Sequence, residues 1–144
     1  MKVIVDTSVW SLALRRDQKV NNSHHVALFR ELITDGRVVL LGAVRQEILS
    51  GIRQPNQYNQ LKNYLSGFPH LELDIKDYEL AAEFYNTCRH QGIKGANTDF
   101  LICAAAVRKN YSILTTNKDF DNFSQHIQIT LVKCIEDKLD SRLL

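Results

Sequence analysis

Short runs of consecutive apolar residues alternate along the chain with longer segments whose apolar positions recur at helical spacing. A continuous apolar run is typical of a strand buried on both faces, and helical spacing is typical of a helix with one face on a core. The predicted strands are residues 2–5, 38–41, 112–115 and 127–132, together with residues 71–75, where apolar and acidic residues alternate as in an edge strand. The predicted helices are residues 9–14, 23–35, 43–52, 56–66, 77–91 and 99–109. Asp77 is expected to cap the helix at 77–91, and the helix at 56–66 is expected to direct Tyr58, Leu61, Tyr64 and Leu65 inward. This alternation predicts an α/β fold, a three-layer sandwich in which helices flank a central parallel sheet of about five strands.

The size and composition of the chain fit one such domain. Its 144 residues, 44% of them hydrophobic, are enough to bury a core without disulfide or metal staples. The sequence contains no repeat, linker or low-complexity tract, so residues 1–133 are predicted to form the domain and residues 134–144 its C-terminal tail. Cys88, Cys103 and Cys134 are widely spaced and form no CxxC pair, which predicts free thiols rather than a zinc or disulfide site.

Charge and hydropathy exclude some partners and leave others open. A net charge of +2 permits a nucleic-acid partner but does not by itself indicate one. No apolar stretch approaches the roughly 20 residues needed to span a bilayer, and the first residues carry no secretory signal. The expectation is therefore a soluble, cytoplasmic protein.

Four acidic residues that are far apart in the sequence fall near the ends of predicted strands. Asp6 directly follows the first strand, and Glu47 lies about one turn into the helix after the second. Asp119 follows the strand at 112–115. Asp99 opens the very apolar helix that precedes this strand, so it lies near the same edge only if the turn at 95–97 is positioned there. Because ligands of open α/β sheets bind at the carboxyl edge of the strands, we expect these acids to converge there.

Converging carboxylates repel one another unless a cation neutralises them or they take up protons. Hard oxygen ligands favour Mg²⁺ or Mn²⁺ over zinc or copper. Such an ion can activate water and stabilise the charge that develops on a phosphate under in-line attack. The acids therefore predict hydrolysis of phosphodiester bonds.

Each acid also has a purely structural explanation. Asp6 could cap the helix that follows it, and Asp99 could favour the dipole of its helix from the first turn. Asp119 lies in a predicted turn, where aspartate is common, and Glu47 could be a solvated helix residue. Position along the sequence does not decide between these explanations and a shared site.

Four blocks of the sequence resemble, in the same order, the motifs of PIN-domain ribonucleases, and in particular those of the VapC toxins of bacterial type II toxin–antitoxin modules. The blocks are VIVDTSVW at 3–10, VRQEILSG at 44–51, GANTDFLICAA at 95–105 and ILTTNKDF at 113–120. One such block would be weak, whereas four in order at compatible spacing are specific.

The resemblance implies an endoribonuclease that depends on Mg²⁺ or Mn²⁺ and acts as the toxin of such a module. It also implies a homodimer and inhibition by a cognate antitoxin protein. The catalytic acids implied are Asp6, Glu47, Asp99 and Asp119, with Asp6 and Asp99 as the direct metal ligands. Glu47 would hold the metal or its water from the opposite wall.

Three further residues around these acids are expected to support the site. Ser8 and Thr115 are implied to orient carboxylates and waters. Asn117 stands where the family often has an aspartate, and it can orient a water through its carbonyl but adds no charge. One-metal chemistry is therefore expected rather than two-metal chemistry.

The apolar positions near residues 58–65 are a candidate groove for an antitoxin helix.

Three alternatives remain to be weighed against this prediction. A DNA nuclease on the same fold would use the same metal chemistry. A degenerate PIN fold that only binds a partner would explain Asn117. A phosphoacceptor receiver domain would need an acidic pair after the first strand, and Thr7 follows Asp6 instead.

Overall fold

A computed structural model of the protein describes residues 1–15 and 23–133, which form a parallel sheet flanked by helices. The strands are β1 (Val3–Val5), β2 (Val38–Leu41), β3 (His70–Leu71) and β4 (Ser112–Leu114). The helices are α1 (Thr7–Leu14), α2 (His24–Thr34), α3 (Gly42–Leu49), α4 (Pro55–Leu65), α5 (Ile75–His90), α6 (Asn97–Lys109) and α7 (Asp119–Ser124). The strand order is β3-β2-β1-β4, and every pairing is parallel, which confirms the predicted α/β class.

β1 occupies the middle of the sheet because all three of its residues are apolar and fully buried. Val3 pairs with Val38 of β2 on one side and with Ser112 of β4 on the other. The carboxyl ends of β1, β2 and β4 therefore lie side by side. Asp6, which directly follows β1, is placed between the residues that follow the two neighbouring strands.

α6 is the most deeply buried helix of the described chain. Six of its residues are buried, and the alanines at 104–106 allow the helix to approach its neighbours closely. It packs against α5 in the antiparallel sense: Tyr85 meets Phe100 near the start of α6, and Asp77 meets Arg108 near its end. This packing fixes the position of the first turn of α6, which carries Asp99.

The two cysteines within the described residues are buried free thiols, as predicted. Burial raises the pKa of Cys88, and burial followed by the negative charge of Asp99 raises the pKa of Cys103. Both thiols therefore stay protonated and unreactive. Cys134 and the predicted tail at 134–144 lie outside the described residues.

The prediction of about five strands was wrong by one in the part of the chain that is described. The segment predicted at 127–132 forms only an isolated parallel bridge between Leu131 and Ile113. The Ile129 N–H bonds back to the Ile127 carbonyl at 3.0 Å, so the chain turns there and only a short stretch is left to pair with β4.

The strand predicted at 71–75 is also shorter than its alternating pattern indicated. β3 ends at Leu71, and Ile75, predicted to be the last residue of the strand, is 76% exposed as the first residue of α5. Asp74, and not Asp77, is the N-cap of this helix. The two residues form a reciprocal capping box, in which each carboxylate accepts a hydrogen bond from the other's backbone N–H.

α4 exposes the two tyrosines that its helical spacing placed inward. Tyr58 and Tyr64 are exposed, whereas Leu65 is fully buried. The tyrosine rings lie at the rim of the core, and Tyr64 makes an edge-on contact with Phe68 at 5.4 Å between centroids. No helix among the described residues is long and apolar enough to cross a membrane.

Candidate active site

Asp6 is the most buried of the predicted site acids, with only 5% of its surface exposed. Its Oδ2 accepts one hydrogen bond from the Ser8 hydroxyl and another from the Thr115 hydroxyl, both at 2.8 Å. Its side chain makes no capping bond to α1, whose first N–H groups bond to the Asp6 carbonyl instead. Two hydroxyl groups thus hold one carboxylate oxygen in place, and neither of these bonds uses the other oxygen.

Ser8 and Thr115 are themselves oriented by the loop that joins β4 to α7. The Thr116 N–H donates to the Ser8 hydroxyl oxygen at 3.1 Å, and the Asn117 N–H donates to the Thr115 hydroxyl oxygen at 2.9 Å. Because each hydroxyl accepts from the backbone, its own proton is free to point at Asp6. Both hydroxyls therefore donate to the same oxygen of the Asp6 carboxylate.

Asn117 has a contact that its residue type alone did not predict. Its side-chain carbonyl accepts a hydrogen bond from the Asp119 N–H at 3.0 Å, which is an Asx turn at the start of α7. The carbonyl that was expected to orient a water therefore shapes the turn that presents Asp119. An aspartate at this position could accept the same bond.

Replacing Asn117 with alanine is expected to lower cleavage activity about tenfold, because the turn that places Asp119 loses its acceptor. Asn117→Asp keeps the acceptor and is expected to stay close to wild type. Initial rates on one RNA substrate would measure both variants, with the exposed α7 residue Asn122→Ala as the matched control. Equal rates for Asn117→Ala and Asn117→Asp would exclude a positioning role for the Asx turn.

Asp99 occupies the first turn of α6, where its Oδ2 accepts a hydrogen bond from the Ala96 N–H at 3.0 Å. Burial raises the pKa of Asp99, and the negative charges of Asp6, Glu47 and Asp119 raise it further against the lowering effect of the Ala96 bond. The charges of the three other predicted acids therefore act on Asp99. The four acids, far apart in the sequence, are thus near enough in the fold for the charges of three of them to act on the fourth.

Gly95 lies just before α6 and packs closely against the aromatic rings of Phe100 and Phe123. A Cβ at this position would lie 2.5 Å from the Phe123 ring and 2.8 Å from the Phe100 ring. The two rings already contact each other, with centroids 4.7 Å apart, so they have little room to move. A side chain at Gly95 would therefore have to displace these rings or the loop that leads into Ala96 and α6.

Gly95→Ala is expected to lower the free energy of unfolding by about 1–3 kcal/mol, the usual effect of overpacking a filled core. Cleavage should also fall, because Ala96 and Asp99 shift with the loop. Urea unfolding and a cleavage assay at a permissive temperature would measure the two effects. Gly67→Ala is the control, since its Cβ would meet only the Tyr64 carbonyl at an ordinary 3.5 Å. Equal destabilisation by both substitutions would contradict the packing argument.

Glu47 lies on the exposed side of α3, and its Oε1 accepts a hydrogen bond from the Thr7 hydroxyl at 2.8 Å. Thr7 was not among the predicted site residues. The signal that could have found it is its place between Asp6 and Ser8 in the first sequence block. The contact links the residue after β1 to the helix after β2.

The carboxylate oxygens of the predicted acids suit a hard divalent cation, but they do not enclose a metal site. All the predicted acids offer carboxylate oxygens, which Mg²⁺ and Mn²⁺ prefer. Within residues 1–15 and 23–133, no three His, Cys, Asp or Glu side chains are gathered closely enough to form a metal cluster. Mg²⁺ commonly binds through one or two carboxylates and keeps several waters. The arrangement therefore fits a hydrated ion on two carboxylates better than an ion enclosed by protein.

The four blocks and this geometry correspond to a known domain family. The model of the PIN domain family matches residues 3–125, and the chain therefore belongs to that family. No curated protein sequence matches the chain significantly. The family membership predicted from the sequence blocks is confirmed.

Solved structures share the fold at low sequence identity. VapBC2 from Rickettsia felis, bound to a DNA fragment from its promoter, matches with a TM-score of 0.71 and 18% identity over 92% of this chain and 98% of the other. FitAcB from Neisseria gonorrhoeae matches with a TM-score of 0.67 and 19% identity over 92% and 98%. A toxin–antitoxin complex from Klebsiella pneumoniae matches with a TM-score of 0.59 and 16% identity over 83% and 90%. The protein thus has the PIN fold that these chains adopt.

Proposed function

We propose that this PIN-domain protein is the toxin of a toxin–antitoxin module, an endoribonuclease that hydrolyses RNA phosphodiester bonds with Mg²⁺ or Mn²⁺ in the cytoplasm. The observation that carries the proposal is the carboxylate pair of Asp6 and Asp99. Asp6 is held rigidly by two hydroxyls, and Asp99 lies in the negative field of the other acids. Such a concentration of negative charge needs a cation, which in turn suits a phosphate substrate.

Different residues of the chain would have different roles in this reaction. When bound, the divalent ion supplies positive charge that lowers the pKa of water and stabilises the charge on the phosphate. Asp6 and Asp99 would hold the ion, Asp6 through the oxygen that is not bonded to Ser8 and Thr115. A further carboxylate would accept the proton of the attacking water: Asp119, or Glu47, which the resemblance also implies to hold the ion or its water. Asn117 adds no charge here, which favours a single ion.

The proposed partners are a cognate antitoxin protein and a second copy of the chain. Support for the antitoxin comes from the structural matches, one of which is itself a toxin–antitoxin complex. On this chain the exposed tyrosines of α4, Tyr58 and Tyr64, offer an aromatic surface to an amphipathic antitoxin helix.

The test uses the purified protein without antitoxin, incubated with total RNA or with an equal mass of single-stranded DNA. Mg²⁺, Mn²⁺ or EDTA is added, and Asp6→Asn is run in parallel. Discrete RNA fragments that need the metal and disappear in the variant would support the proposal, and mapping their ends would identify the cleavage site. Cleavage of DNA alone would favour the DNA nuclease. Intact nucleic acid in every lane, with a folded protein, would favour a partner-binding PIN domain.

A further inference from the structure

We propose that Thr7 is a positioning residue of this site, whose hydroxyl holds the Glu47 carboxylate at the sheet edge where Asp6 and Asp99 lie. The inference rests on the proposed function and adds a residue to it. It starts from the 2.8 Å hydrogen bond between the Thr7 Oγ1 and the Glu47 Oε1, which joins residues 40 positions apart.

Glu47 needs such a tether more than the other acids do. Asp6 is buried and accepts two hydrogen bonds, and Asp99 accepts a hydrogen bond from the Ala96 N–H. Glu47 is exposed, and its longer side chain has three torsions that a surface helix leaves free. Without a bond to hold it, its carboxylate would spend much of its time directed into solvent.

Thr7 is well suited to hold that carboxylate. It directly follows Asp6 and begins α1, so its backbone is fixed by the central strand on one side and by the helix on the other. Threonine is also stiff at χ1, so its hydroxyl has few directions to choose from. A rigid donor therefore meets a flexible acceptor, and the donor determines where the acceptor lies.

Adjacent hydroxyl groups thus serve different carboxylates. Ser8, with Thr115, orients Asp6, while Thr7 orients Glu47. The turn after β1 therefore sets the direction of a carboxylate on its own strand and of another on the helix after β2. This coupling explains how an exposed helix residue can take part in a site built around a buried strand end.

The first measurement is the affinity for Mn²⁺ in the absence of RNA, determined by isothermal titration calorimetry. Thr7→Val replaces the hydroxyl with a methyl group of similar size. It is expected to weaken Mn²⁺ binding about tenfold, because the sequence resemblance implies that Glu47 holds the ion or its water, and loss of a residue that orients such a group typically costs about 10–100-fold in metal affinity. Thr7→Ser keeps the hydroxyl and is expected to restore most of the affinity. Thr34→Val is the control, because it removes a hydroxyl that bonds only to a helix carbonyl on α2.

The second measurement is RNA cleavage at saturating metal. Because Thr7 acts through Glu47, Thr7→Val should lower kcat about tenfold and leave KM for RNA nearly unchanged. In a Glu47→Ala background the same substitution should have no further effect. A rise in KM alone would mean that the hydroxyl contacts RNA directly, and a full effect in the Glu47→Ala background would mean that Thr7 acts elsewhere. Either result would overturn the proposal.

A third measurement separates failure of this inference from failure of the proposed function. The melting temperatures of the metal-free wild type, Thr7→Val, Glu47→Ala and the double variant form a cycle that needs no activity. Non-additive losses would establish the tether even in a protein that does not cleave RNA. Additive losses, together with unchanged Mn²⁺ affinity in Thr7→Val, would show that the hydrogen bond has no role.

Discussion

Replacing Asp99 with asparagine is expected to reduce RNA cleavage at least about 100-fold and, at the same time, to raise the melting temperature of the metal-free protein at neutral pH. The loss of activity follows from the loss of a charged ligand, since a bound ion contributes several kcal/mol of transition-state stabilisation and about 1.4 kcal/mol corresponds to a factor of ten in rate. The gain in stability follows from the surroundings of Asp99.

The direction of the stability change comes from the pKa of Asp99, which burial and then the charges of the neighbouring acids raise above the reference value of 3.8. A carboxyl whose pKa is raised on folding binds its proton more tightly in the folded state. The metal-free wild type therefore loses stability as the pH rises from that reference value through the folded pKa. The asparagine side chain of the variant would stay neutral and still accept the Ala96 N–H bond, so the advantage of the variant should grow over the same pH window.

Thermal melts of the wild type and Asp99→Asn across this pH range, with and without Mg²⁺, would measure the effect. Mg²⁺ should stabilise the wild type and leave the variant nearly unchanged, because an ion stabilises only a protein that binds it. Asp121→Asn is the control: it removes an exposed carboxylate from the first turn of α7, where a negative charge is mildly favourable. If metal-free Asp99→Asn has a lower melting temperature than the metal-free wild type at neutral pH, the predicted stabilisation is wrong.

The elements that carry Asp6 and Asp99 were predictable where local pattern and sheet topology act together. The apolar run before Asp6 indicated a buried central strand, and the ligand-binding edge of a parallel sheet follows from that strand's direction. Asp99 was expected at the start of an apolar helix, and its place near the same edge depended on the position of the turn at 95–97. For both residues the apolar pattern predicts a strand or a helix, and the position of the acid in the sequence shows at which end of that strand or helix it lies.

Contacts between side chains of different elements were not predictable in the same way. The bond from Thr7 to Glu47 depends on the distance between α1 and α3, whereas periodicity indicates only which face of a helix is buried. The residue type of Asn117 permits both a water contact and an Asx turn, and only the structure shows that Asp119 provides the donor. The apolar alternation after residue 127 indicated a strand, but the turn at Ile129 left only a bridge.

Asp77 offers the largest expected loss of stability away from the site acids. It is 1% exposed, and its carboxylate accepts hydrogen bonds from Arg108 and from the Asp74 N–H, both at 2.8 Å. Asp77→Ala removes one half of the capping box of α5. It also removes the part-buried hydrogen bond from Arg108, which joins the start of α5 to the end of α6. A cap contributes about 1 kcal/mol, and a hydrogen bond to a charged group about 1.5–3 kcal/mol.

The free energy of unfolding of Asp77→Ala is therefore expected to fall by about 3 kcal/mol in urea titrations, while Glu79→Ala, an exposed change on the same helix, should stay within about 0.5 kcal/mol of wild type. Asp77→Asn keeps an acceptor for one of the two donors and should lie between them. Arg108 is near the opposite end of α6 from Asp99, so the variants should retain cleavage and Mn²⁺ affinity at temperatures where they are folded. A loss of activity in folded Asp77→Ala would instead mean that the position of α6 along its axis, and with it that of Asp99, depends on this contact.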